Sequence, residues 1–72
     1  MNIFAKRLRD LRKSKGATQT QIGQIIGITK AGIYDIEKGR SKTTLDNACA
    51  LADYFNVSLD YLVGRSDNTE VR

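Results

Sequence analysis

Two short segments with a helical spacing of apolar residues, separated by Gly27, constrain the fold more than any other feature of the sequence. Residues 18–26 begin with Thr-Gln-Thr-Gln, which is typical of a capping box at a helix start, and continue with apolar side chains one turn apart. The second segment begins with Thr29, which can cap a helix, and places Ile33 and Ile36 on one face. Because glycine favours a helix end, the sequence predicts two short helices joined by a tight turn.

The same spacing predicts three further helices, and the sequence contains no proline to interrupt them. A first helix follows Asn2, which can cap it, and ends before Gly16. A fourth begins after a cap at Thr43 or Thr44, and a fifth, of a turn or two, begins after a cap at Ser58. The fifth helix contains Leu59 and Leu62. The predicted core residues of the other helices are Phe4, Leu8 and Leu11 of the first, Ile22 and Ile26 of the second, and Leu45, Ala48, Cys49, Ala52 and Phe55 of the fourth. The sequence therefore predicts an all-α fold.

Length and composition indicate one small domain. All the predicted helices of the 72-residue chain fall within residues 1–64, and we expect the polar tail at 65–72 to be frayed. No apolar run approaches the roughly 20 residues that span a membrane, and the N-terminus has no apolar segment of signal-peptide length. The one cysteine, Cys49, cannot form an internal disulfide, which fits a reducing compartment. We therefore expect a cytoplasmic protein with no membrane partner.

Charge is distributed unevenly along the chain. Residues 1–42 contain ten Lys/Arg and three acids, a net charge of +7, whereas residues 43–72 contain two Arg and five acids, a net charge of −3. A basic face favours a polyanionic partner, although such a split can also serve solubility alone. The sequence has no histidine, no pair of cysteines, no phosphate-binding loop and no nucleophile beside an evident base. We therefore expect neither an enzyme nor a bound cofactor or metal.

Two short helices joined by a tight, glycine-containing turn form the helix-turn-helix arrangement. The stretch TQTQIGQIIGITKAGIYDIEKGR resembles the helix-turn-helix of the Cro/phage-repressor class, also called the XRE or lambda-repressor-like family, and LDNACALADYFNVSLDYLVG is similar to that family's fourth and fifth helices. The resemblance covers residues 3–64 and departs from the family pattern at Gly23, where alanine is usual, and at Thr43, where proline is common. It implies a compact five-helix domain that binds a double-stranded DNA operator.

The resemblance implies that the third helix enters the major groove, and helical geometry then indicates its DNA-facing side. At about 100° per residue, Ile33, Ile36 and Glu37 share the core side, while the opposite side centres on Ala31 and Asp35. The candidate base contacts on and beside this opposite side are Thr29, Lys30, Ala31, Gly32, Tyr34 and Asp35.

Most of these candidates have an alternative interpretation. Lys30 can donate to a guanine or only neutralise a phosphate, and Tyr34 can contact DNA or pack on Lys30. Asp35 can accept from a cytosine amino group or pair with Lys38. Gly32 costs the helix about 1 kcal/mol relative to alanine, and we interpret it as letting the backbone approach the bases, the alternative being a tolerated surface glycine. Gly32→Ala is accordingly predicted to stabilise the free protein.

Candidate phosphate contacts flank the same helix. The basic loop after it suits the sugar-phosphate backbone, unless it is only solvated. The resemblance implies that Gln19 binds a phosphate at the start of the second helix, where the helix dipole and free N–H groups favour an anion; the alternative is an exposed first-turn residue. The candidates are Thr18, Gln19, Lys38, Arg40, Lys42 and Thr43. The resemblance also implies a largely buried ion pair of structural role between Arg12 and Glu37.

One recognition helix contacts only a few base pairs, so we expect a homodimer on a two-fold DNA site. The candidates for the dimer contact are Val57, Leu59, Tyr61 and Leu62, although Leu59 and Leu62 can instead belong wholly to the core. These features favour a transcriptional repressor. The alternative is an antitoxin or adaptor module whose chief partner is another, regulatory protein.

Overall fold

The computed structural model describes residues 3–70, which form five helices with no strand among them. The helices are α1 (Ile3–Lys15), α2 (Gln19–Ile26), α3 (Lys30–Glu37), α4 (Leu45–Phe55) and α5 (Leu59–Leu62). The predicted all-α architecture is confirmed, whereas the predicted cap at Asn2 lies outside the described residues. Over residues 3–70, no helix combines the length and the apolar character needed to cross a membrane.

Hydroxyl side chains begin four of the five helices. The four caps each accept a hydrogen bond from the backbone N–H three residues later, at 3.0–3.1 Å, and are Thr18, Thr29, Thr44 and Ser58. Each bond satisfies one of the donors that a helix start leaves free. In α2 the capping box is complete, because Gln21 Oε1 accepts the Thr18 N–H at 2.8 Å. Thr44, and not Thr43, is therefore the cap of α4.

The turn between α2 and α3 depends on Gly27. This residue ends α2 with a left-handed φ of 71°, a conformation that costs glycine little and other residues more. The N–H of Gly27 and the N–H of Ile28 both donate to the carbonyl of Gly23, the latter at 2.8 Å. The reversal is therefore tied to α2 by two backbone hydrogen bonds, and the tight turn predicted from the sequence is confirmed.

One fully buried large side chain from each helix forms the centre of the core: Leu8, Ile22, Ile33, Leu51 and Leu62. Leu51 is missing from the core face predicted for α4, whereas Leu45, predicted on that face, is 68% exposed. The prediction for Leu45 is wrong because the buried residues of α4 begin only at Ala48, one turn after the helix starts.

The polar tail after α5 makes hydrogen bonds to the domain, in contrast to the frayed end that its composition predicts. Arg7 of α1 donates to the carbonyl of Ser66 at 2.7 Å and to Asp67 Oδ1 at 2.8 Å. Ser58, the cap of α5, donates its backbone N–H to the carbonyl of Thr69 at 3.0 Å. The composition of the tail shows that it is polar, but it cannot show that α1 and the start of α5 place hydrogen-bond donors beside it. These contacts could therefore not be predicted from the sequence.

Candidate nucleic-acid interface

Helix α3 has one buried side and one accessible side. Its buried side consists of Ile33, Ile36 and Glu37. Its opposite side exposes Lys30, Ala31 and Tyr34 and leaves Gly32 and Asp35 half-exposed. Five of the six residues predicted to contact bases therefore share one surface, which we call the recognition face (Lys30, Ala31, Gly32, Tyr34 and Asp35). This face includes the first turn of α3, the part of a recognition helix that approaches base edges in a major groove.

Gly32 is held against the turn that precedes α3. A Cβ at this position would overlap Cγ2 of Ile28 and would lie 3.5 Å from Oγ1 of Thr29. The geometry argues against the expectation that alanine simply stabilises the helix, because the added methyl would displace the Ile28 side chain. Helix propensity alone could not indicate this, since the obstacle lies outside the helix. A close approach of the bases at Gly32 stays a prediction.

Gly23 performs a related role on the α2 side of the turn. A Cβ there would overlap the carbonyl oxygen of Ile28 and would lie 3.2 Å from the carbonyl carbon. The obstacle is backbone, which cannot move aside as a flexible side chain can. Gly23, at a position where the similar family usually has alanine, thus allows the turn to approach α2 more closely than a methyl group would permit.

The predicted ion pair between Arg12 and Glu37 is present and joins α1 to α3. Arg12 donates through Nε and Nη2 to the two carboxylate oxygens of Glu37 at 2.6 and 3.0 Å, and the two side chains are only 13% and 3% exposed. Such a two-bond contact satisfies both carboxylate oxygens in a largely dry environment. Arg12 Nη1 also donates to the carbonyl of Ala17 at 3.1 Å, which ties the middle of the α1–α2 connection to the pair.

Gln19 belongs to the same network. Its Nε2 donates to Glu37 Oε1 at 3.1 Å, so the side chain is half-buried and bonded to the last turn of α3. This contact could not be predicted from the sequence, because it joins the first residue of α2 to the last residue of α3. The bond uses one of two amide N–H groups, and the second remains for a phosphate. The phosphate contact of Gln19 stays a prediction.

The basic loop after α3 exposes Lys38, Arg40 and Lys42. Its first half is anchored, because the N–H of Arg40 donates to the carbonyl of Asp35 at 2.9 Å. Arg40 Nη1 also lies 4.0 Å from Asp35 Oδ1. The acid of the recognition face therefore pairs with Arg40, whereas the pairing that the sequence suggests is with Lys38. Because both side chains are largely exposed, this ion pair is weak and leaves Arg40 available to another anion.

Tyr34 packs beneath the cations of this loop. The Lys38 ammonium lies 5.5 Å and the Arg40 guanidinium 5.9 Å from the centre of the Tyr34 ring. The alternative that Tyr34 packs on Lys30 is therefore replaced by a contact with the C-terminal side of α3. The positive charges of Lys38 and Arg40 therefore lie beside the recognition face, on the side of the basic loop.

The threonines predicted to contact DNA differ in the availability of their hydroxyls. Thr18 and Thr29 accept capping hydrogen bonds through Oγ1, and each hydroxyl can still donate. Thr43 is different, because its Oγ1 is buried and has no hydrogen-bond partner within residues 3–70. The buried hydroxyl of Thr43 gives no support to a phosphate contact through this side chain, and the phosphate contact of Thr43 stays a prediction.

The residues predicted to form the dimer contact lie mainly inside the fold. Val57 and Leu62 are 7% and 0% exposed, and Leu59 and Tyr61 pack half-buried against the same core. The guanidinium of Arg7 lies 4.1 Å from the centre of the Tyr61 ring and covers part of it. The assignment of Val57 and Leu62 is therefore wrong, and the alternative that the apolar side chains of α5 belong to the core is correct for Leu62.

No group of three or more His, Cys, Asp or Glu residues lies within the described part of the chain in a way that could hold a metal ion. Cys49 is a half-buried free thiol on α4.

A family model described as Helix-turn-helix matches residues 8–62 of the chain. The chain is 35% identical over 68 residues to the uncharacterized HTH-type transcriptional regulator YobD of Bacillus subtilis, a match that covers 94% of this chain and 61% of that protein. It is 35% identical over 60 residues to the cryptic phage CTXphi transcriptional repressor RstR of Vibrio cholerae, covering 83% of this chain and 54% of the repressor. The chain thus spans little more than half the length of these relatives.

The fold is also similar to a solved structure. The DNA-binding domain of the P22 c2 repressor in solution matches with a TM-score of 0.79 at 26% sequence identity, and the match covers 100% of this chain and 96% of that one. The helix arrangement described above is therefore shared along the whole described chain.

Proposed function

The chain belongs to the helix-turn-helix family of the Cro/phage-repressor class, and on that premise we propose that it is a sequence-specific, double-stranded-DNA-binding transcriptional regulator that acts in the cytoplasm. The observation that carries the proposal is the recognition face, an accessible helix surface flanked by the basic loop at residues 38–42. The relatives named as a transcriptional regulator and a transcriptional repressor support the regulatory role. The similarity to a DNA-binding repressor domain supports DNA as the ligand.

The recognition face supplies base contacts of three kinds. Lys30 donates to the acceptor edge of a guanine, and Ala31 offers a methyl group to the methyl of a thymine. Tyr34 supplies a hydroxyl at the next turn of the helix. The buried side of α3 keeps this surface rigid, because Ile33 and Ile36 fix the rotation of the helix about its axis.

Phosphate contacts orient α3 in the groove and carry no sequence information directly. Gln19 holds a phosphate at the N-terminus of α2, where the unpaired N–H groups of the helix point outward. Lys38, Arg40 and Lys42 hold the backbone on the other side of α3. Because these contacts are mainly electrostatic, they bind any DNA and weaken as salt rises.

The regulator acts as a homodimeric repressor. A single α3 spans too few base pairs to specify a site, and two copies of a helix-turn-helix place their recognition helices about 34 Å apart, one turn of DNA. The matching operator is then two-fold symmetric, and occupancy of it blocks transcription.

The decisive experiment selects bound fragments from random DNA and then maps the protected bases by footprinting. We expect a two-fold site that competes far better than random DNA. If selection enriches no sequence, or an unsymmetrical site is bound by a single copy, the proposal fails.

Substitutions then separate base contacts from phosphate contacts. Ala31→Glu places a charged side chain at the centre of the recognition face and should abolish specific binding without lowering the melting temperature, because Ala31 is exposed. Lys42→Ala should weaken the selected site and random DNA about equally and reduce the salt slope by about one. Normal specific binding by Ala31→Glu would contradict the assignment of this face.

A further inference from the structure

Asp35 is an acid on a surface where a DNA partner favours cations. Residues 27–42 contain four Lys/Arg and two acids, and one of these acids, Glu37, is buried in its pair with Arg12. The side chain of Asp35 is instead 44% exposed on the recognition face, so its carboxylate is the accessible negative charge of this segment. Duplex DNA presents rows of phosphates to such a face, and the charge of Asp35 therefore opposes binding to any sequence.

The position of Asp35 also gives the free protein no evident gain in stability. Asp35 lies in the last turn of α3, where the partial negative charge of the helix end repels an acid. Its ion-pair partner, Arg40 Nη1, is 4.0 Å away, and a pair with both side chains largely exposed contributes little. The acid is therefore better explained by what it does on DNA than by what it does for the fold.

We propose that Asp35 and Arg40 together discriminate against incorrect DNA, because Arg40 is shared between the Asp35 carboxylate and a DNA phosphate. This proposal rests on the proposed function and names the base that completes its site. When α3 enters the groove, a phosphate binds Arg40 and the Asp35 carboxylate is left facing the base edges. The amino group of cytosine is the donor that suits an acid, whereas guanine O6 and N7 and thymine O4 are acceptors that repel it. Cytosine opposite Asp35 is therefore the base that compensates for the loss of Arg40.

The geometry allows Arg40 to leave Asp35 without moving the loop. The backbone holds the loop at this point, because the N–H groups of Arg40 and Ser41 donate to the carbonyl of Asp35 at 2.9 and 3.4 Å. The Arg40 side chain is 66% exposed, and its guanidinium lies 5.9 Å from the centre of the Tyr34 ring, a second weak contact. Since neither side-chain contact fixes the guanidinium, a phosphate can bind it while the path of the chain stays the same.

The carboxylate of Asp35 then acts differently on random DNA and on the correct site. On random DNA it competes for Arg40 and repels the duplex, so it weakens binding. On the correct site it gains a hydrogen bond from cytosine that offsets this cost. A protein selects its site by the difference between the two affinities, so an acid that weakens random binding raises specificity even where it adds no net affinity.

Binding to random-sequence duplex DNA, measured by fluorescence anisotropy over a range of salt concentrations, tests the effect of the charge. Asp35→Asn keeps the shape of the side chain and removes its charge. It should tighten binding about three- to tenfold and steepen the salt slope by up to about one, because Arg40 is then fully available to a phosphate. Asp53→Asn is the matched control, since it makes the same change of net charge at an exposed acid of α4; it should change the affinity by less than about twofold.

Arg40→Met tests whether the two residues act together. The substitution removes the guanidinium, but the backbone hydrogen bonds to the carbonyl of Asp35 remain possible. In this background the tightening that Asp35→Asn causes on random DNA should be smaller by a factor of about two or more, because no shared cation is released. Equal tightening in both backgrounds would show that Asp35 acts independently of Arg40 and would overturn the proposed sharing.

Selection of bound fragments from random DNA, carried out with the wild type and with Asp35→Asn, tests the base preference. The wild type should require cytosine at one position of its site, and Asp35→Asn should accept other bases there. The ratio of selected-site affinity to random-DNA affinity should fall at least about tenfold in Asp35→Asn. Unfolding does not account for such a loss, because removing an acid from the last turn of α3 should leave the melting temperature unchanged or higher.

Two further results would overturn the proposal. One is an Asp35→Asn variant that binds random DNA no more tightly than Asp53→Asn, and the other is an Asp35→Asn variant whose selected site is restricted at every position as in the wild type. Both results leave the proposed function intact, because the wild type still selects its site. A wild type that selects no sequence would instead refute the proposed function, and the measurements on random DNA would still decide whether Asp35 and Arg40 act together.

Discussion

Glu37→Ala provides the sharpest test of how the fold supports the recognition helix. The substitution removes the acceptor of three side-chain hydrogen bonds, two from Arg12 and one from Gln19, at a position only 9% exposed. It leaves the Arg12 guanidinium, 13% exposed, without its counter-charge. Breaking one side of a buried ion pair typically costs about 3–5 kcal/mol. A domain of this size commonly has a total stability near the lower end of about 5–15 kcal/mol.

The expected result is therefore a loss of most of the folding free energy. In a domain of this length a loss of 1 kcal/mol in folding free energy lowers the melting temperature by roughly 4–8 °C, so the melting temperature should fall by at least about 10 °C. Circular dichroism monitors the melting, and a urea titration provides a second measure of stability. Asp10→Ala is the control, because it breaks the Lys6–Asp10 pair, whose side chains are each 59% exposed, and it should leave the melting temperature nearly unchanged.

A double-mutant cycle separates two contributions to the loss of stability: the lost interaction between Arg12 and Glu37, and the cost of leaving the Arg12 charge buried without a partner. Replacing both partners by apolar residues, Arg12→Met with Glu37→Met, should be less destabilising than Glu37→Ala alone, because no unpaired charge remains. A melting temperature that Glu37→Ala leaves at the wild-type value would refute the reasoning, since it would mean that the pair is solvated. Additive effects of the two single substitutions would equally show that the residues do not interact.

Three further predictions follow from local contacts. Gly23→Ala should destabilise the domain by about 1–3 kcal/mol in urea titration, because the methyl meets the carbonyl of Ile28; an unchanged midpoint would show that the turn can yield. Gly32→Ala should give no net stabilisation, because the gain in helix propensity of up to about 1 kcal/mol is offset by the overlap of the new methyl with Ile28. In the Ile28→Ala background, where this overlap is removed, Gly32→Ala should raise the melting temperature. A higher melting temperature of Gly32→Ala in the wild-type background would contradict this reasoning. The hydrogen bond from Lys6 lowers the pKa of Asp10, so Lys6→Ala should raise that pKa in an NMR titration, and the small stabilisation from this pair should be lost as pH falls through the lowered pKa; an unmoved titration curve would show that the bond is absent in solution.

The sequence by itself determined the helices and the accessible side of α3. The starts of α2, α3, α4 and α5 each depend on a hydroxyl and an N–H three residues apart, and each core-facing stripe depends on side chains three or four residues apart. Contacts of this range are set by the chain's local geometry, so periodicity and capping residues were sufficient to predict them. The recognition face follows from the same periodicity, because burying Ile33 and Ile36 turns Ala31 outward.

The tertiary structure decided which residues from different elements meet. Gln19 bonds to Glu37, the tail bonds to Arg7, and Leu45 is left outside the core although it continues an apolar stripe. None of these outcomes is encoded in spacing along one helix, because each depends on where a second element lies in space. Gly32 shows the difference most clearly. Its helix propensity is a local property, but a side chain at this position would overlap a methyl group of Ile28, and the position of Ile28 is set by the close packing of the turn against α2.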